Sequence, residues 1–315
     1  MIEIKNLSKR YGDKYAIKDV SFTINNGEIL GFLGRNGAGK STTMNIITGY
    51  ISSSEGSVEV DGYDILENPM EAKRHIGYLP EQPPLYMDMT VDEYMQFICD
   101  VKRIRKTSRK SHLDEIYDLV RIGDVRKRLI RNLSKGYKQR VGLAQALVGN
   151  PDVIILDEPT VGLDPKQIIE IRKLIKDLGR DHTVVLSSHI LHEVADVCER
   201  LVIINKGEIV AQDTLENLTK GISETSRLMV RVAGAEKAAQ RLIRELNGVR
   251  YVEVMGSKEP DTVDIMIETD QNVDVRRAMF NALSRNTMPI LMLRSLDMTL
   301  EDIFLQLTTE DKEVV

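Results

Sequence analysis

One stretch limits the fold more than any other part of the chain. An apolar run, Ile29 to Leu33, leads directly into Gly34-Arg35-Asn36-Gly37-Ala38-Gly39-Lys40-Ser41-Thr42. The run reads as a buried strand, and Met44-Asn45-Ile46-Ile47 beyond it reads as an amphipathic helix. Gly34, Gly37 and Gly39 let the backbone turn tightly between the two and bring its N–H groups against phosphate oxygens. The following helix start adds a partial positive charge. Lys40 can reach β- and γ-phosphates, and the Ser41 hydroxyl can ligate Mg²⁺. A strand, a glycine loop and a helix in this order place the chain in the α/β class.

Three further strand ends carry polar residues. Ile76 to Leu79 is apolar and opens into a loop with Gln82; Pro83-Pro84 forbids a helix directly after it. Val153-Ile154-Ile155-Leu156 is a continuous apolar run, as expected of a parallel strand covered on both faces, and it ends in Asp157-Glu158-Pro159. Thr183 to Ser188 ends in His189. Ligands of open α/β sheets sit beyond the carboxyl ends of the strands. The loop from Gly34 to Ser41, Gln82, Asp157, Glu158 and His189 can therefore converge on one phosphate site.

Around these lie elements of other kinds. Ile2 and Ile4 alternate with polar residues, Tyr11-Gly12 marks a turn, and Val20 to Ile24 alternates again. Asn25-Asn26-Gly27 is a hairpin signal, so antiparallel strands precede the glycine loop. Gly56 to Gly62 holds one more short strand. Residues 91–148 are mostly helical in pattern, with Ser134 as N-cap of one helix. A basic run from Lys102 to Lys110 lies within them, either a solvated helix end or a contact for anionic lipid headgroups. Leu201 to Val210 reads as a hairpin.

The length of 315 residues suits one large domain or two ordinary ones. The pattern shifts near residue 220, where Gly221 to Ser226 reads as a linker. After it the order is βαββαβ, the ferredoxin-like pattern, closing with a helix at 300–307. The expected domains are 1–219, with a helical subdomain at about 88–148, and 225–315. A net charge of −5 gives no support to a general nucleic-acid binder. Cys99 and Cys198 are far apart, which points to free thiols in a reducing compartment. Met1 to Asn6 is no signal peptide, and no stretch approaches the ~20 apolar residues of a membrane span. The chain is expected to be cytosolic, with any membrane role supplied by a partner.

Taken together, residues 1–219 resemble an ATP-binding cassette (ABC) ATPase subunit, because several motifs stand in that family's order. The resemblance implies a P-loop NTPase cassette: a mixed sheet core, an antiparallel β subdomain and a helical subdomain, here followed by the α+β ferredoxin-like domain. It implies ATP and Mg²⁺. Tyr11 matches the aromatic that stacks on adenine, and Gly34 to Thr42 form the phosphate cradle, with Lys40 also catalytic. Ser41, Gln82 and Asp157 match the Mg²⁺ residues, and Gln82 also faces the membrane partner. Glu158 matches the general base, His189 the contact to the γ-phosphate, and Asp164 a residue at a dimer seam.

The family's signature Leu-Ser-Gly-Gly-Gln stands here as Leu133-Ser134-Lys135-Gly136-Tyr137. Ser134 and Gly136 can still grip the phosphate held by a second subunit. The variant resembles a multidrug or lipid exporter branch. The implied partners are a second ATPase subunit, identical or closely related, and an integral-membrane permease. The implied place is the inner face of the cell membrane. Three alternatives stay open. One is an import ATPase, although an all-β extension would then be usual. Another is a non-transport ABC ATPase, although no heptad insertion separates Ser41 from Leu133. The last is a P-loop kinase, which Ser134, Gly136, Glu158 and His189 oppose.

Overall fold

The computed structural model describes residues 1–220, 225–270 and 273–296, together with Glu301, Phe304, Leu305 and Thr308. The chain divides into two compact units. One runs from Met1 to Leu215 and regains the chain from Phe304; the other runs from Glu216 to Ile303. In the first unit Thr308 is buried, and its carbonyl accepts from Asn205 Nδ2 at 3.5 Å. The linker expected at 221–226 falls largely outside the described residues, as does most of the helix expected at 300–307.

The first unit is built on a six-stranded sheet. Its order is Glu208–Thr214, Arg200–Asn205, Ile29–Leu33, Thr183–Ser188, Val153–Asp157 and Ile76–Leu79. All neighbours are parallel except the first pair. Every residue of Ile29–Leu33, Val153–Asp157 and Thr183–Ser188 is buried, which accounts for the apolar stretches within them. Gly31 sits in the middle of this sheet for a steric reason. A Cβ there would stand 2.1 Å from Val194 Cγ1, so only glycine lets the helix Leu191–Ala195 seat on the strand.

A second, antiparallel sheet has the order Lys14–Ile24, Ile2–Tyr11, Glu55–Val60, Tyr63–Asp64. Its alternating residues Ile2, Ile4, Val20 and Phe22 share one core with Leu30 and Phe32 of the parallel sheet. The Phe22 and Phe32 rings meet at 5.4 Å. The hairpin expected at Asn25–Gly27 is not one. Strands 2–11 and 14–24 turn at Gly12, whereas 25–28 crosses from one sheet to the other. Glu28 makes that crossing rigid: its carboxylate accepts from the Asn25 N–H at 2.7 Å and from Arg200 Nη2 at 2.7 Å. An Asn-Asn-Gly signal specifies a turn, and what it joins is set by the apolar face that follows.

The helical part comprises Val91–Val101, Lys106–Val120 and Lys135–Leu147. Thr90 and Glu93 form a reciprocal capping box on the first. Arg126 ties the first two together through Asp92 at 3.0 Å and Asp114 at 2.8 Å. In the basic run, Lys102 donates to the Val148 carbonyl at 2.6 Å and Arg109 pairs with Asp100 at 2.6 Å. Those two cations serve the fold itself.

The second unit is a four-stranded antiparallel sheet in the order Val249–Gly256, Thr262–Asp270, Thr225–Ala233, Ile290–Ser295. The helices Glu236–Arg244 and Arg276–Arg285 occupy the two crossovers, giving βαββαβ. Val230, Val232, Ile265 and Ile267 face Ala239, Ile243, Met279 and Leu283 from the helices.

Candidate functional site

The site starts from a backbone problem. The loop after Leu33 must reverse direction and begin the helix Lys40–Ile47 within six residues. Gly34 allows this because a Cβ there would lie 2.6 Å from the Ile204 carbonyl oxygen. Gly39, at φ 111°, caps the helix in a conformation that side chains avoid, and a Cβ would meet the Ala16 carbonyl oxygen at 2.8 Å. Lys40 is buried to 6 % exposure and folds back over the loop. Its ammonium donates to the Gly34 carbonyl at 2.8 Å and the Arg35 carbonyl at 3.3 Å.

Two carboxylates follow the neighbouring strand. Asp157 Oδ1 accepts from Ser187 Oγ at 2.7 Å. Glu158 Oε1 stands 3.2 Å from Lys40 Nζ, and its Oε2 lies 2.9 Å from His189 Nδ1. A carboxylate only accepts, so His189 donates through Nδ1–H. Its Nε2 can then donate to another oxygen only as imidazolium. Glu158 holds this place at φ 49°, a left-handed backbone that a residue other than glycine keeps only when its surroundings fix it.

Two cavities open here. One, of about 800 Å³, is lined by Asn36, Gly37, Gly39, Lys40, Ser41 and Thr42 together with Glu158 and His189. The other, of about 990 Å³, is lined by Ser41, Gln82 and Asp157 together with Tyr78, Tyr86, Tyr94 and Ile98. Ser41 and Glu81 belong to both. The hydroxyl, amide oxygen and carboxylate of Ser41, Gln82 and Asp157 are an oxygen set of the kind Mg²⁺ takes, with room left for water. Burial raises the Tyr78 phenol well above its ordinary range, with Asp157 adding to it, so the hydroxyl in this cavity is neutral.

Other expected site residues stand elsewhere. Tyr11 does not line the cavity beside the glycine loop; Tyr15 does, with Ala16, Val161 and Lys206. Ser134, Gly136 and Asp164 line neither cavity. Ser134 Oγ caps the helix Lys135–Leu147 by accepting from the Tyr137 N–H at 3.4 Å. Asp164 caps the helix Pro165–Leu178 by accepting from the Gln167 N–H at 2.9 Å. The two helix starts touch. A Cβ on Gly136 would meet the Gln167 amide carbon at 2.7 Å, and a Cβ on Gly162 would meet Lys135 Nζ at 2.0 Å. Lys135, the charged departure in the signature, therefore rests on the loop that follows Glu158.

Sequence reasoning missed Tyr15, Glu81, Val161 and Lys206. The Lys206-Gly207 turn offered a signal, since Lys-Gly between two apolar strands invites a left-handed turn. The Gly207 N–H donates to the Ala38 carbonyl at 3.0 Å and so fixes that turn beside the loop.

Comparison with known proteins agrees with this geometry. Residues 17–161 match the ABC transporter family. The linearmycin resistance ATP-binding protein LnrL of Bacillus subtilis (strain 168) is 32% identical over 309 residues, covering 98% of the chain and 98% of its own length. The lipopolysaccharide export system ATP-binding protein LptB of Haemophilus influenzae is 37% identical over 222 residues, covering 69% of the chain and 92% of its own length. Among solved structures, the dimeric post-hydrolysis state of the cassette MJ0796 bound to ADP and Pi has a TM-score of 0.63 at 29% identity, over 68% of the chain and 99% of that cassette.

Proposed function

The chain belongs to the ABC transporter ATP-binding family, and from that premise we propose that it is the ATPase subunit of an exporter. Two copies, or one copy and a close relative, sandwich two ATP molecules head to tail on the inner face of the membrane. Their closure and hydrolysis drive a separate permease. The observation that carries the catalytic reading is Glu158, held between Lys40 at 3.2 Å and His189 at 2.9 Å over the cavity of the glycine loop.

In that arrangement Lys40 turns from Glu158 to the β- and γ-phosphates, which frees Glu158 to accept a proton from the attacking water. His189, pinned through Nδ1, presents Nε2 to the γ-phosphate and donates to it when that nitrogen is protonated. The oxygens of Ser41, Asp157 and Gln82 would hold Mg²⁺, which supplies charge neutralisation on the phosphates. Ser134, Lys135 and Gly136 address the nucleotide of the other subunit, since in their own subunit they line neither cavity. The tyrosine-rich groove beside Gln82 suits a segment of the permease. Among the described residues no helix is long and apolar enough to cross a membrane. Export, rather than import, is supported by the names of LptB and LnrL, an export system and a resistance protein.

The test is Glu158→Gln. The amide keeps the size and loses the base, so turnover is expected to fall by ~10²–10⁴-fold while ATP still binds. A stable dimer should then accumulate with ATP and not with ADP, read by light scattering. Hydrolysis at the parent rate would remove Glu158 from the mechanism.

A further inference from the structure

Among the buried carboxylates of the described residues, most have a role already visible. Glu28 pairs with Arg200, Asp157 with Ser187, Glu158 with Lys40 and His189, and Asp264 with Arg231. Glu193 is different. It is 3 % exposed, and its hydrogen-bond partner is the hydroxyl of Thr160, which donates to Oε2. Burying a carboxylate against one hydroxyl costs stability, which marks the contact as worth explaining.

The two residues sit at telling places. Thr160 lies two residues beyond Glu158, in the loop that runs to Asp164. That loop is stitched to itself by the Val161 N–H on the Glu158 carbonyl at 3.2 Å and the Leu163 N–H on the Thr160 carbonyl at 3.1 Å. Glu193 lies four residues beyond His189, on the helix Leu191–Ala195. That helix is a firm platform, because Val194 presses on the Gly31 backbone of the central strand and Leu191 is buried beside it. Glu158 and His189 are thus joined twice: directly through their side chains, and again through Thr160 and Glu193. The second link supplies what the left-handed backbone of Glu158 requires, a surrounding that holds it there.

We propose that Thr160 and Glu193 form a clasp that positions the Glu158–His189 pair for hydrolysis. The proposal rests on the roles given to Glu158 and His189 above. Thr160 and Glu193 line neither cavity, so loss of the clasp lowers kcat and leaves nucleotide affinity nearly unchanged.

The experiment uses full-length Thr160→Val, which removes the hydroxyl at nearly constant shape, with Thr160→Ser as rescue and Glu193→Gln as the partner change. Thr160→Val is expected to lower kcat about tenfold with KM for ATP and affinity for ADP within about twofold. Thr160→Ser should return to within about twofold of the parent. The double variant Thr160→Val/Glu193→Gln should be no slower than the worse single variant, as for two residues acting through one bond. A second readout does not need hydrolysis. Amide exchange at Val161 and Leu163 should quicken in Thr160→Val without nucleotide, while Ile29–Leu33 stays protected. Unchanged exchange and unchanged kcat would overturn the clasp, as would multiplicative effects in the double variant. A parent that exchanges as expected but hydrolyses no ATP would instead overturn the ATPase reading and leave the clasp as a structural tie.

Discussion

The two units bury charge in opposite ways. In the second, Arg231 and Asp264 are direct cross-strand neighbours, and the guanidinium meets the carboxylate twice, at 2.6 and 2.9 Å. Glu259 adds a further contact to the same arginine. The sheet register itself completes the pair. In the first unit, Lys40 opens a helix and Glu158 follows a separate strand; they stand 3.2 Å apart and border a cavity. A pair made by register stays closed, whereas a pair made across a cavity can exchange a partner for a ligand. That contrast separates a place where charge stabilises a fold from a place where charge waits for phosphate.

The sharpest way to break the contrast is to remove one cation from each pair. Lys40→Ala is expected to weaken ATP binding by ~100-fold or more, because a charged contact to the β- and γ-phosphates is lost in a buried setting. Arg231→Met is expected to leave ATP affinity within about twofold and to lower the denaturant midpoint instead. Titration with a fluorescent nucleotide checks the first, and urea unfolding the second. Equal losses of ATP affinity in both variants would erase the distinction between the units.

A smaller effect sharpens the same point through pH. The hydrogen bonds from Arg231 hold the Asp264 carboxyl below its usual range. A depressed carboxyl contributes stability that is present above the unfolded value of about 3.9 and lost as pH falls through the folded one. The stability gap between parent and Asp264→Asn should therefore be full at neutral pH and shrink below about pH 4. Urea midpoints at both pH values measure it, and a gap that widens in acid would contradict the assignment.

Most of the fold was legible in the sequence because periodicity and punctuation agreed. Unbroken apolar runs at 29–33 and 153–156 became parallel strands buried on both faces, and the βαββαβ order after residue 225 became the four-stranded sheet. The residues that follow the parallel strands were legible for the same reason, since a parallel sheet gathers its strand ends on one edge. Lys40, Ser41, Gln82, Asp157, Glu158 and His189 all border one of the two joined cavities. What stayed hidden depends on contacts between distant segments. Nothing local announces that Thr160 meets Glu193, that Lys135 rests on Gly162, or that Thr308 returns to Asn205. The crossing at 25–28 was misread because a turn signal carries no information about which sheet follows it.

The smallest expected effect concerns two tyrosines, because the cavity of the glycine loop takes Tyr15 where the resemblance names Tyr11. The hairpin around Gly12 carries register shifts between Ile4 and Leu7, Leu7 and Lys9, and Lys9 and Arg10. Each shift changes which face a side chain takes, so spacing alone cannot choose between Tyr11 and Tyr15. The register pairs Arg10 with Tyr15 and Tyr11 with Lys14. Tyr15 thereby reaches the cavity of the glycine loop, its ring 5.8 Å from the Arg10 guanidinium, while Tyr11 is 54 % exposed beside Lys9. Stacking on a nucleobase is worth ~1–3 kcal/mol, and a half-exposed ring belongs at the lower end. Tyr15→Ala is then expected to weaken ATP binding about fivefold and to leave inorganic tripolyphosphate binding unchanged, because the lost contact is to the base. Tyr11→Ala should change neither. The reverse result, with Tyr11 alone sensitive to the base, would mean that the hairpin changes register when nucleotide enters, and that the first unit repairs its own geometry around a ligand in a way the second never needs to.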